Sequence, residues 1–257
     1  SRLLRKFYID LENSTKNNDE LKNKYMEKAY TIITNVYGMP PEKFNFEYTD
    51  KNGKYHLDKN ISPKEFYDKY IGIDLQKDYV EISCYQDEKI KYNNIYEEEE
   101  SSRISGERNN ITLNLSPKEF QSLIIKQLKS NEPIYFYCST TSKRIDGIWI
   151  DLMERYGDIF DIDLKLDNNS VQKTNGLTNT HCMLITGANI IDNKITKWKI
   201  ENSWGSEHGN KGYYVATNDW INNYVYRIVI NKNILSSKQL DILKQDKIIL
   251  EKWDAKF

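Results

Sequence analysis

The 257-residue sequence predicts an α+β fold with helices concentrated early and a β-rich second half. Two observations carry this. Apolar residues recur at three- and four-residue intervals between Asp19 and Tyr37, whereas short apolar or alternating runs separated by turn residues dominate after Pro133. A third, the motif Ser-Pro-Lys-Glu-Phe at Ser62 and again at Ser116, marks two further helix starts.

The elements follow in order. Leu21, Tyr25, Met26, Ala29, Ile32, Ile33 and Val36 form one helical stripe, ended by Gly38 and barred from continuing by Pro40-Pro41. Leu3–Leu11 is expected to make an earlier helix packed on it as a hairpin. At both Ser-Pro starts the Ser caps, Pro occupies a first-turn position where its missing N–H costs nothing, and Glu reaches back to the cap amide. The second helix is expected to reach Lys129, with Phe120, Leu123, Ile124 and Leu128 facing a core. Glu97–Glu100 with Ser101-Ser102 reads as a solvated loop. Strands are expected at 133–138, 182–185, 195–200, 212–216 and 224–230, in a mostly antiparallel sheet or small barrel. Ser236–Leu243 adds a terminal helix, and Ile248–Leu250 packs the end back on the body. The domain reading is 1–110 for a helical arm and connecting region, 111–234 for the β-rich half, and 235–257 for a terminal helix and tail.

Composition narrows the chemistry. Thirty-seven Lys and Arg against thirty-eight Asp and Glu leave a formal charge of −1, which argues against a basic nucleic-acid footprint. No apolar run is long enough to span a membrane. Three cysteines without a paired motif fit a reducing, cytoplasmic compartment. No metal-binding spacing, phosphate loop or dinucleotide fingerprint occurs, so neither a metal nor a cofactor is expected.

Only three histidines exist. His56 and His208 lie in polar turns, while His181 opens an apolar strand and is expected at the lip of the core, facing a cleft. An imidazole can exchange protons near neutral pH when a second group fixes its tautomer. Asn202 is the candidate for that group, because its carbonyl accepts a ring N–H without adding charge, and Trp204 for a cover over the bond. A nucleophile is harder to find. Strand alternation sends Cys182 away from His181 and into the core, Cys138 sits in an apolar strand, and Cys84 has no basic neighbour.

The runs Thr180-His181-Cys182-Met183 and Lys197-Trp198-Lys199-Ile200-Glu201-Asn202-Ser203-Trp204-Gly205 resemble the bleomycin hydrolase and aminopeptidase C branch of the papain-like cysteine peptidases. The resemblance continues through His208–Tyr213, Asp219-Trp220 and Tyr224–Tyr226, and back to Gly38–Phe44 and Ser62–Tyr67. It implies a papain-like fold in which this chain supplies the C-terminal, β-rich half with a helical insert. It also implies His181 as base, Asn202 as orienting amide and Trp204 as shielding indole. The family's nucleophilic Cys and oxyanion-hole Gln lie in an N-terminal segment without a counterpart here. That segment is expected on a companion chain, omitted, or lost, and the chain alone is expected to be inactive. The resemblance further implies peptide substrates, a homohexamer, and a tail laid into the cleft. Here the tail ends in Ala255-Lys256-Phe257, without the family's Pro and Gly, which leaves aminopeptidase and endopeptidase action both open. The competing reading is an inactive structural or interaction subunit that keeps the fold.

Overall fold

A computed structural model describes the chain apart from residues 1, 15–17, 86–88, 100, 103–108, 141–143, 146, 165, 168, 172–179, 252–253 and 255–257, and apart from the side chains of 3, 144, 145, 152, 154 and 155. The described residues divide into a unit at Ser1–Ile73 and a larger one at Asp74–Phe257.

In the smaller unit, the two expected helices span Arg2–Glu12 and Asp19–Tyr37. Asn18 caps the second by accepting from the Leu21 N–H at 2.9 Å, and Gly38, at φ +83°, returns its own N–H to Thr34 O. The pair is joined by a Phe7–Tyr25 stack at 4.6 Å and by Tyr25 donating to Asp10 at 3.1 Å. Strands β1 (Phe44–Thr49) and β2 (Tyr55–Ile61) form an antiparallel hairpin that the sequence reading does not contain. Its turn is closed by Asp50, whose Oδ1 accepts from the Asn52 and Lys54 N–H groups. Ser62 and Glu65 make the expected capping box on helix Pro63–Phe66, which continues as a π-turn to Ile71.

The larger unit is built on one mixed sheet of eleven strands among the described residues. In chain order these are β3 (Tyr79–Ser83), β4 (Asn94–Glu98), β5 (Ile111–Asn114), β6 (Ile134–Cys138), β7 (Arg144–Ile145), β8 (Ile148–Trp149), β9 (His181–Ile191), β10 (Lys194–Glu201), β11 (Tyr213–Thr217), β12 (Val225–Asn231) and β13 (Ile248–Leu250). Their spatial order is β13-β4-β5-β3-β12-β6-β9-β10-β11-β8-β7. Three pairings, β3–β5, β4–β13 and β8–β11, are parallel, so the sheet is less uniformly antiparallel than the sequence pattern suggests. Two of these strands, β3 and β4, lie within the 1–110 region that the sequence reading grouped with the helical arm, and β5 opens its 111–234 half.

Helix Pro117–Lys129 has the expected bounds and buries Phe120, Leu123 and Ile124, each contributing roughly 1.5–3 kcal/mol of transfer free energy. They join Ile82, Leu113, Ile134, Phe136, Ile185, Trp198 and Trp220 in one core. The acidic run departs from its solvated reading. Glu97 and Glu98 close strand β4, Glu98 is buried, and both are neutralised: Lys247 meets Glu97 at 2.8 Å and Arg227 meets Glu98 at 2.6 Å. Arg227 also binds Glu81 at 2.7 Å. Burial works against the Arg227 charge, but the two carboxylates more than restore it and hold its pKa above the ordinary value. Ile248–Leu250 packs back on the body as expected, with Leu250 beside Tyr85, Ile90 and Tyr96.

Candidate active site

His181 begins β9, and Asn202 immediately follows β10, its antiparallel neighbour in the sheet. On β9, alternation puts residues 181, 183 and 185 on one face, and Met183 and Ile185 are fully in the core. His181 therefore stands where the core face runs out, half-buried. Cys182 lies on the other face and is half-buried rather than in the core, contrary to the sequence expectation. Its neighbourhood is Tyr137 in register and Tyr135, whose hydroxyl pKa is pushed up to about 12, first by a hydrogen bond with the Cys182 thiol.

The strand start is pinned from the neighbouring β6 end. Thr180 N–H donates to Cys138 O at 3.2 Å, and Thr180 Oγ1 accepts from the Thr140 N–H at 2.7 Å. Asn202 is held with equal economy: its N–H donates to Gly212 O at 3.0 Å.

The central contact joins His181 Nε2 to Asn202 Oδ1 at 2.9 Å. The direction of this bond follows from a second one. The Ser203 N–H donates to the same Oδ1 at 2.8 Å, and an N–H can donate only to the amide oxygen. The atom facing His181 is therefore the carbonyl, Nε2 must carry the proton, and Nδ1 is left with its lone pair. Asn202 is 8% exposed, and its Nδ2 is buried without an acceptor among the described residues. Trp204 stacks on the imidazole with ring centroids 5.4 Å apart and planes 20° from parallel, while 45% of its own surface stays exposed. The structure thus brings His181, Asn202 and Trp204 together.

Tyr214 and Gly209 support that site, a role the sequence reading gives to neither. Tyr214 meets Trp204 edge-on at 6.0 Å. Gly209, at φ +63°, passes so close that an added Cβ would lie 2.5 Å from Tyr213 O and 2.8 Å from the Tyr214 ring. The signal for Tyr214 was the alternation along 213–217, which gives it an inward position but no partner.

None of the three cysteines hydrogen-bonds the His181 ring among the described residues. Cys138 is the in-register partner of His181, yet its thiol donates to His181 O at 3.5 Å, and burial pushes its pKa far up. Burial likewise raises Cys84, to about 12. Both are kept as inert thiols. His56 pairs instead with Asp50 at 3.0 Å, in the β1–β2 hairpin. The tail residues Lys256 and Phe257 lie outside the described residues. Among the described residues, no group of three or more His, Cys, Asp or Glu side chains is placed to hold a metal, and no helix is long and apolar enough to cross a membrane.

What this arrangement can do chemically is offer one imidazole nitrogen, Nδ1, as a proton acceptor, with an uncharged amide on the other. The sequence model of the peptidase C1-like family matches residues 1–256. Aminopeptidase C of Lactobacillus helveticus is 37% identical over 263 residues, covering 98% of this chain and 58% of that protein. Aminopeptidase C of Lactobacillus delbrueckii subsp. lactis is 35% identical, with the same coverage. The crystal structure of PepW from Lactobacillus rhamnosis superposes with a TM-score of 0.85 at 33% identity, over 98% of this chain and 59% of that one. The chain spans a little under three-fifths of the length of these relatives.

Proposed function

The chain belongs to the peptidase C1-like family, and from that premise we propose that it is the base-bearing part of a cysteine aminopeptidase or oligopeptidase. In this reading a thiol contributed from outside these 257 residues attacks a peptide carbonyl while His181 Nδ1 takes its proton. The same nitrogen then protonates the leaving amine and activates the water that hydrolyses the thioester. Asn202 keeps Nε2 protonated and stabilises the imidazolium without neutralising it. The observation that carries the proposal is the His181–Asn202 bond with its oxygen fixed by Ser203.

The test uses the natural full-length protein, aminoacyl anilide and short peptide substrates, and a thiol-directed peptide inhibitor. His181→Ala is expected to abolish turnover, and the inhibitor adduct is expected on a cysteine other than Cys84, Cys138 and Cys182. An adduct on one of those three would reassign the nucleophile. No turnover and no adduct would favour the inactive-scaffold alternative. The chain of 257 residues alone is expected to show negligible hydrolysis.

The same proposal covers assembly, location and the tail. Among the described residues of the smaller unit none is buried, and Met26, Ile33, Val36, Tyr37 and Met39 are all at least half exposed. That surface supports a homo-oligomer, a hexamer by the family resemblance, and Val36→Glu is expected to lower the mass seen by light scattering. Three free cysteines support a cytoplasmic address. Lys256 and Phe257 are proposed as the cleft-directed end, so removing residues 255–257 is expected to shift cleavage toward internal peptide bonds.

A further inference from the structure

Trp204 lies in the turn between Asn202 and Gly212, outside any strand, so the placement of its ring depends on what it rests against. One of those supports is Trp149, whose ring centroid is 6.4 Å away at 51°. Trp149 ends the two-residue strand β8 and is fixed from two sides. Its backbone is in parallel register with Ala216 of β11, and its ring lies 5.3 Å from that of Trp220, which is wholly buried. Trp149 itself is 3% exposed. A continuous run of rings therefore leads from the core to the imidazole: Trp220, Trp149, Trp204, His181.

The Trp149 indole has a second feature. Its Nε1 is buried and has no acceptor among the described residues. An unmet buried donor costs stability, so a hydrogen bond is not what this side chain supplies here. What it offers is a flat aromatic face at the junction of Trp220 and Trp204.

We propose that Trp149 is a positioning residue for the His181–Asn202 pair, acting through the ring of Trp204. The proposal rests on the peptidase reading for its catalytic meaning. Its physical content, that a ring two places from His181 in the aromatic run sets the tautomer of His181, stands on that run. If Trp149 is removed, Trp204 loses its inner support, the stack on the imidazole loosens, and water gains access to the Nε2–Oδ1 bond. The Nδ1–H tautomer, useless as a base at that nitrogen, then gains population. A Phe at this position keeps the face and drops the unsatisfied N–H, so it should keep the effect.

The experiment reads ring nitrogen shifts of His181 by NMR in the 257-residue chain, with the signal assigned by its loss in His181→Ala; only three histidines need be resolved. Trp149→Ala is expected to raise the Nδ1–H population relative to Nε2–H by about threefold to tenfold, the order of one lost aromatic contact. Trp149→Phe is expected to leave it within about twofold of the parent by the same reckoning. In a Trp204→Ala background the Trp149→Ala change should add nothing further. The proposal is overturned by an unchanged His181 ring in Trp149→Ala, by an undiminished shift in the Trp204→Ala background, or by Trp149→Phe behaving as Trp149→Ala. Should Trp149→Ala fail to fold, Trp149→Leu takes its place in the cycle. In the parent chain, cross-relaxation between the Trp149 and Trp204 rings is then required, and its absence also refutes the idea. Because the readout is a ring nitrogen rather than turnover, coupling seen in a protein without peptidase activity would remove the peptidase reading and leave this one standing.

Discussion

Replacing Asn202 by Ala separates activity from stability in a way the site geometry makes quantitative. The substitution deletes an oxygen that accepts two hydrogen bonds, from His181 Nε2 at 2.9 Å and from the Ser203 N–H at 2.8 Å. At about 1 kcal/mol net each, their loss costs roughly 2 kcal/mol. The same substitution also removes a buried Nδ2 that has no acceptor among the described residues, whose unmet desolvation costs about 1–3 kcal/mol. Ser203 is exposed, so water can satisfy its N–H once the amide is gone. The two effects oppose each other, and folding free energy should change by no more than about 1 kcal/mol either way. Catalysis has no such compensation. The bond to Nε2 strengthens when the ring becomes an imidazolium, and a hydrogen bond to a charged group is worth about 1.5–3 kcal/mol. kcat/KM for an aminoacyl anilide should fall by roughly tenfold to 150-fold. Thermal unfolding and steady-state kinetics on the same preparation of the natural full-length protein test this. A variant that keeps activity within twofold, or that loses activity only in proportion to its folded fraction, would refute the role assigned to the amide.

Arg227→Ala should destabilise the larger unit by about 3–5 kcal/mol, because it leaves the buried Glu98 and the neighbouring Glu81 without their shared cation; chemical denaturation monitored at tryptophan measures it. Gly209→Ala meets both a positive φ and the Tyr213 and Tyr214 atoms, so a loss of about 1–3 kcal/mol is expected, together with a kcat reduced through displacement of Tyr214 and Trp204. Under native conditions an aromatic disulfide reagent should modify Cys182 well before Cys84 and Cys138, which are fully buried, and mass mapping of the adducts checks the order. In the smaller unit, Asp58 is held below the usual carboxylate range first by Lys69 and then by Tyr70, and Asp50 first by His56. A carboxyl lowered on folding contributes stability above its unfolded pKa that is lost as pH falls through the folded one. Hydrogen exchange in β1–β2 should therefore accelerate below about pH 4.

The helices were legible because their signals are local. Ser116, Pro117 and Glu119 sit within four residues, and the helix they open has the expected bounds. The strands β3, β4 and β5 were not, since each is short and its reason for being a strand lies far away in the chain. Glu97 and Glu98 look like solvent-facing charges until Lys247 and Arg227 arrive from 150 and 129 residues away. Trp149 was invisible for the same reason: a two-residue strand has no period, and its neighbours Trp204, Trp220 and Ala216 all lie more than fifty residues downstream. Alternation was right that Cys182 turns away from His181, and the assignment of the core to that side failed because Met183 and Ile185 fix the buried face.

The His181–Asn202 pairing could be read at all because one hairpin encodes it. Asp192 and Asn193, both at positive φ, make the two-residue turn between β9 and β10, the backbone that matches strand twist in tight hairpins. From there Lys194 pairs with Ile191 and Ile195 with Ile190. A first irregularity, between Ile195 and Lys197, slips the register by one, and a second, between Lys199 and Ile200, restores it, so that Glu201 meets Leu184. Continued past that last pair, the restored register sets Asn202 across from Met183 and Trp204 across from His181, on the face that Met183 and Ile185 define. A single uncorrected slip would turn the amide and the indole to the opposite face of the sheet, because side chains alternate with a period of two. The two bulges therefore matter as a pair. The geometry of the His181–Asn202 pair depends on their cancelling, and the register of residues 195–200 decides whether the imidazole has a partner.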